Sequence, residues 1–141
     1  MKRIFLSLAL IATVSFSNAQ KLSPAKVPAA TKSAFAKAYP HTAGTWEKED
    51  GNFEVNFKKA GKSMSAVITA KGAIKETESS IALGELPQAA HAYIAEHYKG
   101  KTIKDATKIV KADASLVYEA RVGDTDLLFD GAGKFLQVEK D

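Results

Sequence analysis

Apolar residues along this chain follow two different periods, and the switch between them lays out the elements. Residues 27–40, VPAATKSAFAKAYP, and residues 86–99, LPQAAHAYIAEHYK, place apolar side chains three and four apart around an alanine-rich interior. Each has a proline in its first turn, and together these features predict two helices. Pro40 and Gly100 stop them. The remaining apolar residues mostly alternate with polar ones, the period of half-buried strands. In TWEKEDGNFEVNF the pair Asp50-Gly51 suits a two-residue hairpin with positive φ at both centres, which sets Trp46 opposite Val55. A second hairpin at Ala60-Gly61 sets Phe57 opposite Met64, Val55 opposite Ala66 and Phe53 opposite Ile68, so one face of three strands is apolar throughout. A three-residue turn at Ala70-Lys71-Gly72 then brings Ile74 opposite Ile68 and adds a fourth strand.

The pattern occurs twice. Pro28 matches Pro87, Phe35 matches Ile94 and Tyr39 matches Tyr98, all at an offset of 59. The second copy predicts strands at Lys108–Lys111, Leu116–Val122, Thr125–Asp130 and Lys134–Val138, with Gly123-Asp124 as its middle hairpin. That register sets Ala120 against Leu127 and Tyr118 against Phe129, while Gly133 falls where Gly72 stands and Phe135 where Ile74 stands. The expected fold is α+β: two tandem repeats, 27–81 and 86–141, each a helix plus a four-stranded antiparallel sheet, with the helices packed on one sheet face.

Composition places this domain outside the cell interior. Lys2 and Arg3 precede an apolar run from Ile4 to Val14 and the small-x-small triplet Ser17-Asn18-Ala19, so residues 1–19 read as a secretory signal peptide. The apolar run is too short to span a bilayer, which predicts a soluble periplasmic or secreted protein with no membrane anchor. Residues 20–26, QKLSPAK, read as a flexible leader, and 27–141 as a single domain. The chain has no cysteine, which excludes disulfides, thiol nucleophiles and cysteine metal sites. The formal charge of +4 includes the two signal-peptide cations, and the lysines are scattered instead of forming a stripe with aromatics, which argues against nucleic acid.

Motifs that would carry chemistry fail on inspection. FDGAGKF, residues 129–135, suggests a phosphate loop, but counting back five from Gly133 gives Leu128 where glycine is required. Phe135 also replaces the hydroxyl residue, so GAGK is a strand-connecting turn. His91 and His97 stand six apart on one helix and so on different faces, and His41 is remote from both. Asp124, Asp126 and Asp130 lack the order of a calcium loop and are weak metal candidates only. With no G-x-S-x-G elbow, the expectation is a non-enzyme without a cofactor.

VPAATKSAFAKAYP, NFEVNF and AKGAIKE, with their partners LPQAAHAYIAEHY, LVYEARV and FDGAGKFLQVE, resemble the PepSY-like domains of the β-lactamase-inhibitor-protein-like (BLIP-like) group. The resemblance covers residues 27–141 and implies helices on one face of a sheet whose other face is available to partners. It implies no shared activity.

That other face differs between the copies. In the first it is expected to carry Thr45, Glu47, Glu54, Asn56, Ser65, Val67 and Lys75; in the second, Val110, Val117, Glu119, Arg121, Asp126, Leu128, Leu136 and Val138. Five aliphatic residues on an uncovered sheet face call for a cover, with Arg121 and Asp126 as a cross-strand ion pair at the rim. The expected function is a secreted binding or inhibitory module that uses this face on a protein partner. Its alternative is a carrier of a small ligand or an ion, calcium included, at the junction of the halves. Coverage by the leader, by residues 99–107 or by a homodimer is the plainer reading of the same residues. Export itself is directly testable: mass spectrometry of the secreted chain should find Gln20 at the N-terminus, and an uncleaved product would refute the signal assignment.

Overall fold

The structure, a computed structural model, describes residues 21–139, so the signal segment and its cleavage site lie outside the described residues. In chain order they form β1 (Lys21–Leu22), a 3-10 turn at Pro24–Lys26, α1 (Ala29–Ala38), β2 (Gly44–Glu49), β3 (Asn52–Lys59), β4 (Lys62–Ile68) and β5 (Ile74–Ile81). A second 3-10 turn at Leu83–Glu85 leads into α2 (Gln88–His97), β6 (Ile103–Lys111), β7 (Leu116–Val122), β8 (Thr125–Asp130) and β9 (Phe135–Glu139). All the strands join one antiparallel sheet in strict sequence order. Both helices start directly after a proline and close with a backbone bond from the C-cap amide, Tyr39 to Phe35 O and Tyr98 to Ile94 O, each 2.8 Å.

Turn chemistry fixes the register as expected. Asp50 and Gly51, and likewise Ala60 and Gly61, take positive φ, which matches the right-handed twist of the strands they join. Trp46 therefore pairs with Val55, Val55 with Ala66 and Phe53 with Ile68. In the second half Gly123 takes positive φ, and Ala120 pairs with Leu127 and Tyr118 with Phe129.

Each helix closes a core over the inward residues of the strands around it. Phe35 of α1 packs with Val27, Trp46, Phe53, Val55, Phe57, Ala66 and Ile68, its ring centroid 5.6 Å from Trp46 and 5.1 Å from Phe57. Ala90 and Ile94 of α2 pack with Leu86, Ala106, Ala120, Val122, Leu127 and Phe129. Burying a side chain the size of Phe129 or Leu127 contributes roughly 1.5–3 kcal/mol each, and these two clusters hold most of the fully buried bulk.

The GAGK segment is a turn built against a helix. Gly133 N donates to Asp130 O and Asp130 N to Lys134 O, while Asp130 Oδ1 accepts from the amides of Ala132 and Lys134, all at 2.9 Å. Gly133 has φ +86°, and a Cβ there would lie 2.7 Å from Pro87 Cβ. Gly72 has the same φ, and its Cβ would lie 2.8 Å from Ala30 O at the start of α1. Both turns adjoin a register irregularity, between Val67 and Ile68 on β4–β5 and between Leu128 and Phe129 on β8–β9.

Three boundaries differ from the sequence reading. Lys21–Leu22, in the stretch read as a flexible leader, pairs with Glu47 and Trp46, and Leu22 packs on the first core. β6 starts at Ile103 instead of Lys108, because the polar stretch before Lys108 pairs with β7 from Ile103 and with β5 as well from Ala106. β9 runs Phe135–Glu139, one residue later than expected, because Lys134 belongs to the turn.

Replacing Gly133 or Gly72 by Val should cost about 2–4 kcal/mol, since a β-branched residue meets both a positive φ and a helix at under 3 Å. Lys134→Ala should change stability by less than about 0.5 kcal/mol. Chemical denaturation of the three variants checks both, and a Gly133→Val protein as stable as the wild type would contradict the assignment.

Candidate functional site

Strand alternation gives the sheet a second face, away from the core residues, and pairing carries its rows across several neighbouring strands. Asn56 pairs with Ser65, Ser65 with Glu78, Glu78 with Ile109 and Ile109 with Val117. A neighbouring row runs Glu47, Glu54, Val67, Glu76, Lys111, and another joins Thr107 to Glu119 and Glu119 to Leu128. Part of this face is withdrawn from solvent: Val67 and Ile109 belong to neither core cluster, yet they are only 8% and 7% exposed. A hollow of about 630 Å³ lies over it, lined by Ile109, Val117, Leu128, Leu136 and Gln137 together with Glu49, Glu76, Glu78, Lys111, Glu119 and Glu139.

Half of the predicted partner-facing residues meet here. Val117, Glu119, Leu128 and Leu136 line the hollow, and Leu136 is half exposed. Arg121 and Asp126 pair across β7 and β8 as expected, with Nε donating to Oδ1 at 2.9 Å and Nη2 to Oδ2 at 2.6 Å. Asp126 is nearly buried, and the two-pronged contact compensates its lost hydration.

Two predicted residues do not belong. Val110 pairs with Thr77 and Leu116 in the row of Val55 and Ala66, so it lies on the core side and Ile109 takes its place. Val138 pairs with the core residue Leu127, because the β8–β9 irregularity shifts the alternation and leaves both Leu136 and Gln137 on the hollow. The aliphatic strip is therefore Ile109, Val117, Leu128 and Leu136.

The weak metal candidates are dispersed among separate partners. Asp124 lies 3.3 Å from Lys104 Nζ, Asp126 is held by Arg121 and Asp130 by its turn. Among the described residues, no group of three or more His, Asp or Glu is placed to hold a metal ion. The helical histidines are likewise apart: His91 Nε2 sits 2.9 Å from Leu83 O, and His97 packs on Tyr93.

Carboxylates are what the sequence reading missed. It left out Glu49, Glu76, Glu78 and Glu139, although the alternation of IKETESS could have placed Glu76 and Glu78 once β5 was known to pair with β6. Burial, with Glu76, Glu54 and Glu49 nearby, pushes the Glu78 carboxyl up to about 7 against the pull of Lys111. Burial also pushes Glu119 up to about 7, with Asp126, Glu78 and Glu139 adding to it and Arg121 opposing. Glu49 is raised by burial and by Glu54, and Glu54 by burial, with Ser65 drawing it partly back. Lys111 forms an ion pair with Glu76 across the β5–β6 junction.

No protein-family model matches the chain, and no curated protein matches it in sequence. Its fold does recur among solved structures. A protein of Bacteroides eggerthii assigned to the periplasm superposes with a TM-score of 0.73 at 18% identity, over 80% of this chain and 88% of that one. A DUF2874 family protein of Bacteroides uniformis gives 0.72 at 18% identity, over 79% and 88%. A BLIP-like protein of Bacteroides fragilis gives 0.62 at 22% identity, over 79% and 85%. At these identities the likeness establishes the α+β architecture with its antiparallel sheet. Among the described residues no helix is long and apolar enough to cross a membrane.

The raised carboxyls set a pH dependence whose sign is fixed. Glu78 and Glu119 hold their protons more tightly folded than unfolded, so the stability they contribute is complete below the ordinary value of 4.5 and is lost as pH rises through about 7. Allowing for solvent screening, the pair should lower stability by on the order of 1–2 kcal/mol between about pH 5 and about pH 8. Thermal unfolding across that range should show the fall, and Glu78→Gln/Glu119→Gln should flatten it. A wild-type profile that is already flat would contradict the burial of these groups.

Proposed function

We propose that this chain is an exported, non-enzymatic binding module of the PepSY-like type, two copies of one helix-plus-sheet unit with both helices on the same side. It grips a protein partner on the hollowed face of its sheet. The observation that carries this reading is the strip Ile109, Val117, Leu128 and Leu136, which lines an open hollow on the face away from both cores. An uncovered antiparallel face is normally polar, and a row of aliphatics bordered by charges has the anatomy of an interface centre with its rim. The fold shared with proteins assigned to the periplasm and with a BLIP-like protein supports both the compartment and the mode of action. The leader, one of the alternative covers for this face, has Lys21–Leu22 paired with β2 at the edge of the sheet.

Leu128→Ser/Leu136→Ser tests the proposal. Neither residue belongs to a core cluster, so the double variant should lose less than about 1.5 kcal/mol of stability. Capture of a stoichiometric protein partner from a periplasmic extract should fall by about tenfold or more, because central apolar anchors carry most of an interface's energy. Unchanged capture by a folded variant would move the site elsewhere. Unfolding would show the leucines to be structural, and a co-purifying small molecule in place of a protein would overturn the partner class.

A further inference from the structure

Asp50 and Asp130 are the two aspartates of the chain that glycine follows directly, and no asparagine is so placed. An Asp-Gly pair is where a backbone amide most readily turns on the side chain before it, because glycine puts no Cβ in the way. Asp50 stands in the hairpin between β2 and β3, and Asp130 ends β8 at the turn into β9. The two turns hold their aspartates differently. Asp130 Oδ1 accepts hydrogen bonds from the amides of Ala132 and Lys134, each at 2.9 Å, and a Cβ on Gly131 would lie 3.4 Å from Leu116 Cβ. Asp50 and Gly51 are exposed, and nothing lies within 4 Å of a Cβ placed on Gly51. Among the described residues, the side-chain bond at this hairpin runs from Asn52 Nδ2 to the main-chain oxygen of Asp50, at 3.5 Å, and leaves the Asp50 carboxyl unheld.

A free carboxyl and an unhindered amide one residue on can meet by rotation of the side chain and of the peptide between them. Attack of Gly51 N on Asp50 Cγ closes a five-membered succinimide, and one carboxyl oxygen departs as water with the carboxyl proton and the amide proton. Water then adds to one of the two ring carbonyls. Addition at Cγ restores aspartate. Addition at the main-chain carbonyl carbon leaves Gly51 joined through Cγ, with that carbon now the free carboxylate, which is isoaspartate. One water is lost and one gained, nothing is oxidised or reduced, and the mass is unchanged. The main chain, however, has become one methylene longer. At Asp50 that methylene enters a two-residue turn beside Glu49, which pairs with Asn52 and lines the hollow over the sheet.

We propose that Asp50 is a site of spontaneous isoaspartate formation in the folded protein, and that the turn around Asp130 protects that residue from the same reaction. The inference is independent of the function proposed above. To test it, the exported chain is aged at neutral pH in two samples, one folded and one in denaturant. Both are then mapped by electron-transfer mass spectrometry, which cleaves the extra main-chain bond of isoaspartate and so tells it from aspartate. In the folded sample the isomerised fraction at Asp50 should exceed that at Asp130 by about fivefold or more, since an intramolecular attack depends steeply on how freely its two groups can align. In denaturant the two fractions should come within about twofold of each other, because the turn that separates them is gone. Asp50→Glu, which would need a six-membered ring, should remove the product at residue 50 and leave Asp130 as it was. A folded chain without isoaspartate at Asp50 would overturn the proposal, as would equal fractions or an excess at Asp130. A preference for Asp50 that persists undiminished in denaturant would assign it to local sequence and overturn the protective role of the Asp130 turn.

Discussion

The pairing of β5 with β6 is the constraint on which the rest depends. Six register pairs, from Glu76 with Lys111 to Ile81 with Ala106, join the strands of the two cores edge to edge. Without them each half would expose a strand edge, a template for aggregation. With them, the rows of one half continue into the other. The Phe35 core stays within the first half, whereas Ile81 of β5 packs against the Ile94 core, so the junction is held by backbone pairing, by that apolar contact and by side chains lying across it, among them Glu76 and Lys111.

That junction turns two unlike surfaces into one. The first half contributes the carboxylates Glu49, Glu54, Glu76 and Glu78, and the second contributes Ile109, Val117, Leu128 and Leu136. Burial among the neighbouring side chains of this face then raises the cost of ionising Glu78 and Glu119. Clustered, half-buried carboxyls are poor choices for stability alone. Features that break local rules without serving the core are where a protein's binding role is expected to lie.

Much of this was legible in the sequence because turn residues dictate pairing. Asp50-Gly51, Ala60-Gly61 and Gly123-Asp124 each fix a two-residue hairpin, and once those are set, alternation assigns the faces of β3, β4, β7 and β8. Legibility failed where alternation carries no information. Ile109-Val110 is an apolar pair, so nothing local says which residue faces inward, and the answer comes from β5, a partner remote in sequence. Val138 was misplaced because a bulge inserts a residue after Phe135, and a shift of one reverses every later side chain. The carboxylate cluster escaped for a third reason: it exists only across the junction, and the pairing of β5 with β6 has no hairpin to announce it, since α2 intervenes.

Native-state amide hydrogen exchange tests the central claim most directly. If β5–β6 pairing makes one cooperative sheet, the paired amides of Glu76–Ile81 and Ala106–Lys111 should exchange only through global unfolding, with the same free energy as the amides of β3 and β8. If the β5 and β6 amides instead exchange through a low-energy opening while each core stays protected, the halves are separate folding units and the continuous recognition face is not a stable surface.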